Sequence, residues 1–122
     1  MAFVKSTALV TASAITVPGL SGGTNGRIVR VTTSNTVVDA SYNNSVAQLN
    51  SILLKQNNVY YAQGVVAGFT GLTASSAYFL GADGSLTASA PTPSSTVRAL
   101  YVGFALNSTT LLFRPGIVIS GQ

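Results

Sequence analysis

The sequence is short of almost everything that catalysis, metal binding or covalent cross-linking requires. It contains no histidine, no cysteine and no glutamate. Without cysteine there is no disulfide framework, no thiol chemistry and no cysteine-based zinc site. General acid–base work would fall to Asp39 and Asp83, the acidic residues of the chain. They stand in separate turns, and Asp83 is accounted for by the Asp-Gly pair that it opens. Two turn aspartates is the plainer reading, with a glycosidase-like carboxylate pair as the alternative. A Ser–Lys dyad would need Lys5 or Lys55 beside a serine, and serine is so plentiful that such a pairing is uninformative. Calcium wants several oxygen ligands, usually including multiple carboxylates. The chain reads as a non-enzyme, with no catalytic residue, no metal site, no cofactor and no small-molecule substrate.

Charge is the next shortage. Charged residues make up 7% of the chain, against roughly 25% in an average soluble domain. Hydrophobic residues make up 47%, and serine, threonine, asparagine and glycine supply the polarity. Disordered segments combine low hydrophobicity with high charge, so this chain should fold. A surface with few charges is poorly protected against association, and interface cores are depleted of charge in the same way. The composition suits a subunit inside an assembly, with a secreted or extracellular-type β domain as the alternative. The net charge of +4 comes from Lys5, Arg27, Arg30, Lys55, Arg98 and Arg114 against the two aspartates. These bases form no run and are not interleaved with aromatics, which argues against a nucleic-acid partner. Mild attraction to an acidic protein surface fits them better.

Long apolar runs are also missing. No stretch approaches the roughly eighteen apolar residues of a membrane span, so no membrane partner is expected. Met1–Lys5 followed by Ser6–Ala14, with Ala-Ser-Ala at 12–14, superficially resembles a signal peptide. Its apolar part is diluted by Ser6, Thr7, Thr11 and Ser13, and the β-branched alternation favours a strand. Ser21–Gly26 is rich in glycine but lacks the lysine-serine ending of a phosphate-binding loop and opens no helix.

What is present is a series of short apolar runs separated by turn chemistry. Phe3–Val17 reads as one long strand or a strand with a kink, ended by Pro18-Gly19, and Ser21–Gly26 as a flexible loop without regular structure. Arg27–Thr32 alternates, with Ile28 and Arg30 on one face and Val29 and Val31 on the other. Its arginines read as a solvated strand flank, with contact to a neighbouring subunit as the functional alternative. Thr36–Ala40 is a short strand and Ser41–Ser45 a polar break. Val46–Leu54 is ambiguous: Val46, Leu49 and Leu53 fit a helical face that Asn44 or Ser45 would cap, while Ser51–Leu54 fits a buried strand. The β context favours strand. After a turn at Lys55–Asn58, Val59–Val66 resumes as strand. The runs Gly64–Phe69, Ala77–Leu80, Val97–Leu106 and Thr110–Phe113 are then separated by Thr70–Ser76, Ala82–Ser85, Pro91–Ser95 and Asn107-Ser108. About eight to ten short strands at this spacing predict an all-β fold, a small antiparallel sandwich or barrel forming one domain over 1–122.

The aromatic residues fall mostly on strand-like runs, where core or subunit packing is the default. Adjacent pairs such as Tyr60-Tyr61 place one ring on each face, so one of each pair is expected to be exposed. A sugar-binding platform is the functional alternative. The chain ends, 1–17 and 115–122, are the candidate contact arms. Pro115-Gly116 should redirect the chain after Phe113, and Ile117, Val118 and Ile119 are too apolar to stand in water. Successive strand side chains alternate in direction, so these three cannot all face one core. At least one apolar row is expected to meet another chain through an added strand, the alternative being an inner strand covered on both faces. Candidate interface residues are Phe3, Arg27, Arg30, Arg114, Ile117, Val118 and Ile119.

The second half of the chain carries a resemblance. Gly71-Leu72-Thr73, Tyr78-Phe79-Leu80, Gly84, Leu86-Thr87, Pro91, Val102-Gly103, Ala105-Leu106 and Thr109–Leu112 follow the pattern of a module found in tailed-bacteriophage structural proteins. That module has a Gly-Leu-Thr turn, a Tyr-Tyr-Leu or Tyr-Phe-Leu strand, a Gly-Gly-Leu-Thr hairpin, a Pro-Thr linker and a closing strand of the form Val-Gly-x-Ala-Leu-x-x-Thr-Thr-Leu-Leu. It resembles capsid cement (head decoration) proteins and segments of tail fibres. The resemblance implies a homotrimer on the capsid surface that braces neighbouring major capsid subunits. A tail-fibre or receptor-binding module is the alternative, and a secreted carbohydrate-binding β domain the third reading.

Overall fold

Strand follows strand through the computed structural model, which describes residues 14–120. The elements in chain order are β1 (Ile15–Thr16), β2 (Ser21–Gly22), β3 (Arg27–Thr33), β4 (Thr36–Asp39), a 3-10 turn (Gln48–Asn50), β5 (Ile52–Gln56) and β6 (Val59–Ala67). They continue with β7 (Ala77–Leu80), β8 (Leu86–Thr87), β9 (Arg98–Asn107), β10 (Thr110–Phe113) and β11 (Val118–Ser120). All eleven strands belong to one sheet, ordered β2-β4-β3-β5-β6-β10-β9-β7-β8, with β1 added to β6 and β11 to β9. The all-β reading holds. The strands outnumber the expected eight to ten because Ser21-Gly22, inside the supposed structureless loop, pairs with Thr36 and Val37. That pairing is parallel, unlike every other ladder among the described residues.

The sheet folds over on itself, and the sequence marks where. Leu100 and Val102 share the main core with Ala105, three positions beyond Val102, so β9 changes face between them. Tyr61 and Val66 of β6 likewise share this core although an odd number of positions, five, separates them. Gly103 and Gly64 lie at these crossings, at φ +149° and +124° respectively. Both pair with Phe113 of β10 and so flank it in one cross-strand row. Glycine inside a strand marks a tight bend, and here two adjacent bends turn the sheet around the fully buried Phe113 ring. Ile28 and Leu54 from the first half thereby meet Val66, Leu80, Leu100, Leu111 and Phe113 from the second.

Backbone bonds close the fold at the far ends of the path. Ile28 N–H donates to the Gly84 carbonyl at 2.7 Å and Tyr42 N–H to Gly81 at 3.1 Å. Arg98 N–H donates to Tyr42 at 2.7 Å. A smaller core covers the outer face of the first half, where Val29, Val37, Leu53 and Tyr60 pack beneath Val17 and Leu20. This second core corrects one expectation. Tyr60 is buried in it while Tyr61 packs, half-buried, on the main core, so neither ring of the pair is free.

Most turns follow their predicted chemistry. Asn57 and Asn58 both adopt positive φ, at 53° and 62°, which is the two-residue hairpin geometry that suits asparagine. Asn107 accepts a bond from Thr109 N–H at 2.9 Å in the final hairpin. Val46–Leu54 divides between its two readings. Ser45 and Gln48 cap a short turn reciprocally, with Gln48 N–H donating to the serine hydroxyl and Ser45 N–H to Gln48 Oε1. Strand begins only at Ile52.

Candidate interaction surface

The C-terminal segment is built along β9. Arg114 N–H donates to the Val102 carbonyl and Gly116 N–H to Tyr101, both at 2.8 Å. Pro115-Gly116 therefore does not turn the chain away, as the sequence suggested; it carries the chain on along the same neighbour. Val118, Ile119 and Ser120 then pair with Leu100, Ala99 and Arg98. Alternation sorts the three β-branched residues. Val118 is half-buried against the main core. Ile117 is 85% exposed and Ile119 58% exposed, the most exposed large apolar side chains among the described residues. The tail thus folds back on its own domain, yet it is not covered on both faces.

A cleft of about 260 Å³ separates this tail from the start of β5, with Leu49, Asn50 and Ile52 on one wall and Pro115 to Val118 on the other. Register extends the surface beyond that wall. Ile52 pairs with Arg30, and Arg30 pairs with Val38, giving a cross-strand row in which Val38 is 39% exposed. Arg30 is half-buried, not a solvated flank, and its Nε is shielded from solvent without a hydrogen bond. Arg114 is exposed, its guanidinium 5.8 Å from the centre of the Phe104 ring. Arg98 gives one bond to the Asn43 carbonyl at 3.2 Å, and its Nε is also buried without a partner.

Arg27 lies elsewhere and has a different task. Its Nη1 stands 3.6 Å from a carboxylate oxygen of Asp39 and 3.6 Å from one of Asp83, and it donates to the Asp83 carbonyl at 3.1 Å. Asp39 also accepts from the Thr24 backbone and hydroxyl, at 2.8 and 2.7 Å. Ser85, through hydroxyl and backbone N–H, holds the Asp83 carboxyl below the ordinary range, and Arg27 adds to this. The two aspartates are brought together after all, around one cation, as a clamp between β4 and the β7–β8 loop. Lys55 is likewise engaged internally, donating to the Gly22 and Gly23 carbonyls at 3.0 and 3.2 Å. That glycine loop turns carbonyl oxygens inward, the wrong polarity for a phosphate.

A wider, shallow cleft of about 700 Å³ lies between the β7–β8 loop and the Pro91 segment, beside Tyr42, Asp83 and Ser85. Its carboxylate is already committed to Arg27 and Ser85. Tyr42 is the aromatic residue among its lining residues, and it packs partly buried against the main core; elsewhere Tyr60 and Tyr78 are buried, and Phe79 meets Tyr101 edge-on at 5.9 Å. Phe3 and the rest of the N-terminal arm before residue 14 lie outside the described residues. Of the remaining candidates, Ile117 and Val118 line the smaller cleft, Arg30 pairs with Ile52 of its opposite wall, Ile119 lies on the same strand as Val118, and Arg114 immediately precedes Pro115. Sequence reasoning missed Val38, Leu49 and Ile52. Val38 had a signal, since adjacent valines at 37 and 38 must face opposite sides of a strand. No protein-family model, curated protein or solved structure matches this chain.

Proposed function

We propose that the chain is a non-enzymatic structural protein of a tailed-phage virion, a homotrimeric capsid cement protein that braces neighbouring major capsid subunits. The apolar tail carries this reading: Ile119 on the paired strand β11 and Ile117 just before it are 58% and 85% exposed. Burying one such side chain is worth roughly 1.5–3 kcal/mol, and that gain recurs at every symmetry-related copy. The scarcity of charge and the module-like run from Gly71 to Leu112 support the same conclusion. Binding to assembled capsids alone would stabilise them by mass action.

The test is reconstitution. Capsids lacking the protein should melt at higher temperature once it is added to saturation, and the free protein should sediment as a trimer. Unchanged capsid stability at full occupancy would remove the bracing role. Binding to tails but not to heads would replace it with the tail-fibre reading.

A further inference from the structure

The surface around β11 combines three properties that together describe its occupant. First, β11 is paired on one side only, to β9, among the described residues. Its residues carry no charge, and among the described residues no lysine or covering strand protects the edge along Val118–Ser120. An extended segment is what such an edge accepts. Second, the surroundings are cationic. Arg114 immediately precedes the tail, Arg30 pairs with Ile52 of the opposite wall, and Arg98 lies across the ladder from Ser120. None of the three has a carboxylate partner among the described residues, and Arg30 and Arg98 each keep a buried Nε without a bond. A buried guanidinium N–H is costly to leave unpaired. Third, another copy of this chain is a poor source of the missing acid. Its two side-chain carboxylates, Asp39 and Asp83, are both held by Arg27.

We infer that β11 receives an extended, acidic segment of a different protein, which adds a strand at its free edge and places carboxylates against Arg30 and Arg114. Apolar positions of that segment cover Ile117 and Ile119, while its acidic positions face the arginines. Self-association, where it occurs, uses other surfaces. This inference deepens the proposed function by giving the chemistry of the capsid-side contact. It rests on that reading for the partner's identity, though not for its class.

The full chain is titrated with two short synthetic peptides, one alternating valine with glutamate and the other valine with lysine. The glutamate peptide should bind and shift the backbone amide signals of Val118–Ser120, and raising the salt concentration should weaken it. Arg114→Glu combined with Arg30→Glu should reverse the preference, changing the affinity ratio by about tenfold or more. Ile117→Ser with Ile119→Ser, exposed changes that leave the core intact, should weaken the glutamate peptide without reversing the preference. Equal binding of both peptides, no binding at millimolar concentration, or preferential binding of a short single-stranded DNA overturns the inference. Because no capsid takes part, these outcomes are independent of reconstitution, which can fail while acidic-strand binding stands.

Discussion

Gly64 and Gly103, on strands that are not hydrogen-bonded neighbours, both pair with Phe113 from opposite sides. A Cβ built on Gly103 would lie 1.9 Å from the Leu112 carbonyl oxygen. No rotation of a side chain relieves that overlap, because both partners are backbone. The close approach of β9 to β10 at this row is what seats the buried ring.

Gly103→Ala should therefore destabilise the protein by roughly 2 kcal/mol or more. Gly116→Ala is the matched control, since its Cβ would meet Tyr101 at an ordinary 3.5 Å. Chemical denaturation of both variants decides the point. A Gly103→Ala midpoint equal to that of the control would mean that the row is not under close-packing constraint.

Acid should act through Asp83. Its carboxyl titrates below the ordinary value of 3.8, first because Ser85 donates to it and then because Arg27 stands beside it. A folded value below the unfolded one gives a contribution that is complete above the unfolded value and lost as pH falls through the folded one. Acidification from pH 3.8 downward should lower the melting temperature of the wild type more steeply than that of Asp83→Asn. Parallel curves would show that the clamp is not linked to folding.

Arg30 offers a change in the opposite direction. Replacing it with methionine removes a buried unpaired donor while keeping most of the stem that packs between Val38 and Ile52. Arg30→Met should raise the stability of the isolated protein by about 1 kcal/mol. A destabilised variant would mean that the guanidinium contributes to the fold as it stands.

Truncation before Ile117 separates arm from core. The deletion loses the half-buried Val118 and one short ladder, so it should cost about 1–2 kcal/mol and leave the β-type circular dichroism intact. Capsid association should be lost. Global unfolding of the truncated chain would place β11 within the core instead.

Local chemistry made much of the fold legible. Asn57-Asn58, Asn107 and the Pro91 segment announce their turns because each acts on its own backbone within a few residues. Ser21-Gly22 was hidden for the opposite reason. Its pairing with Thr36 and Val37 depends on a neighbour brought in by the whole sheet, and a two-residue strand has no periodicity to read. Non-local meetings were equally invisible. The aspartates looked unrelated in sequence, yet Arg27 joins both, and its contact with the Asp83 carbonyl spans 56 residues. The exposed apolar row of the tail was legible because alternation alone forbids three adjacent β-branched residues from sharing one core. Its path along β9 was not, because Pro115-Gly116 carries the signal of a break and the bonds that override it come from Val102 and Tyr101.

The bonds that close the sheet also set the order in which the chain can acquire its structure. Ile28 waits for Gly84, and Tyr42 waits for both Gly81 and Arg98. During synthesis β3, β4 and β5 emerge well before these partners, with the inward face of Ile28 and Leu54 uncovered. Topologies dominated by such distant pairings fold slowly, over milliseconds to seconds. Strand β11 docks on β9 only after β9 is in place, so this edge of the sheet is completed last. A nascent or partly folded chain consequently lacks the finished edge, so the partner contact proposed for it would wait until the body of the protein has closed.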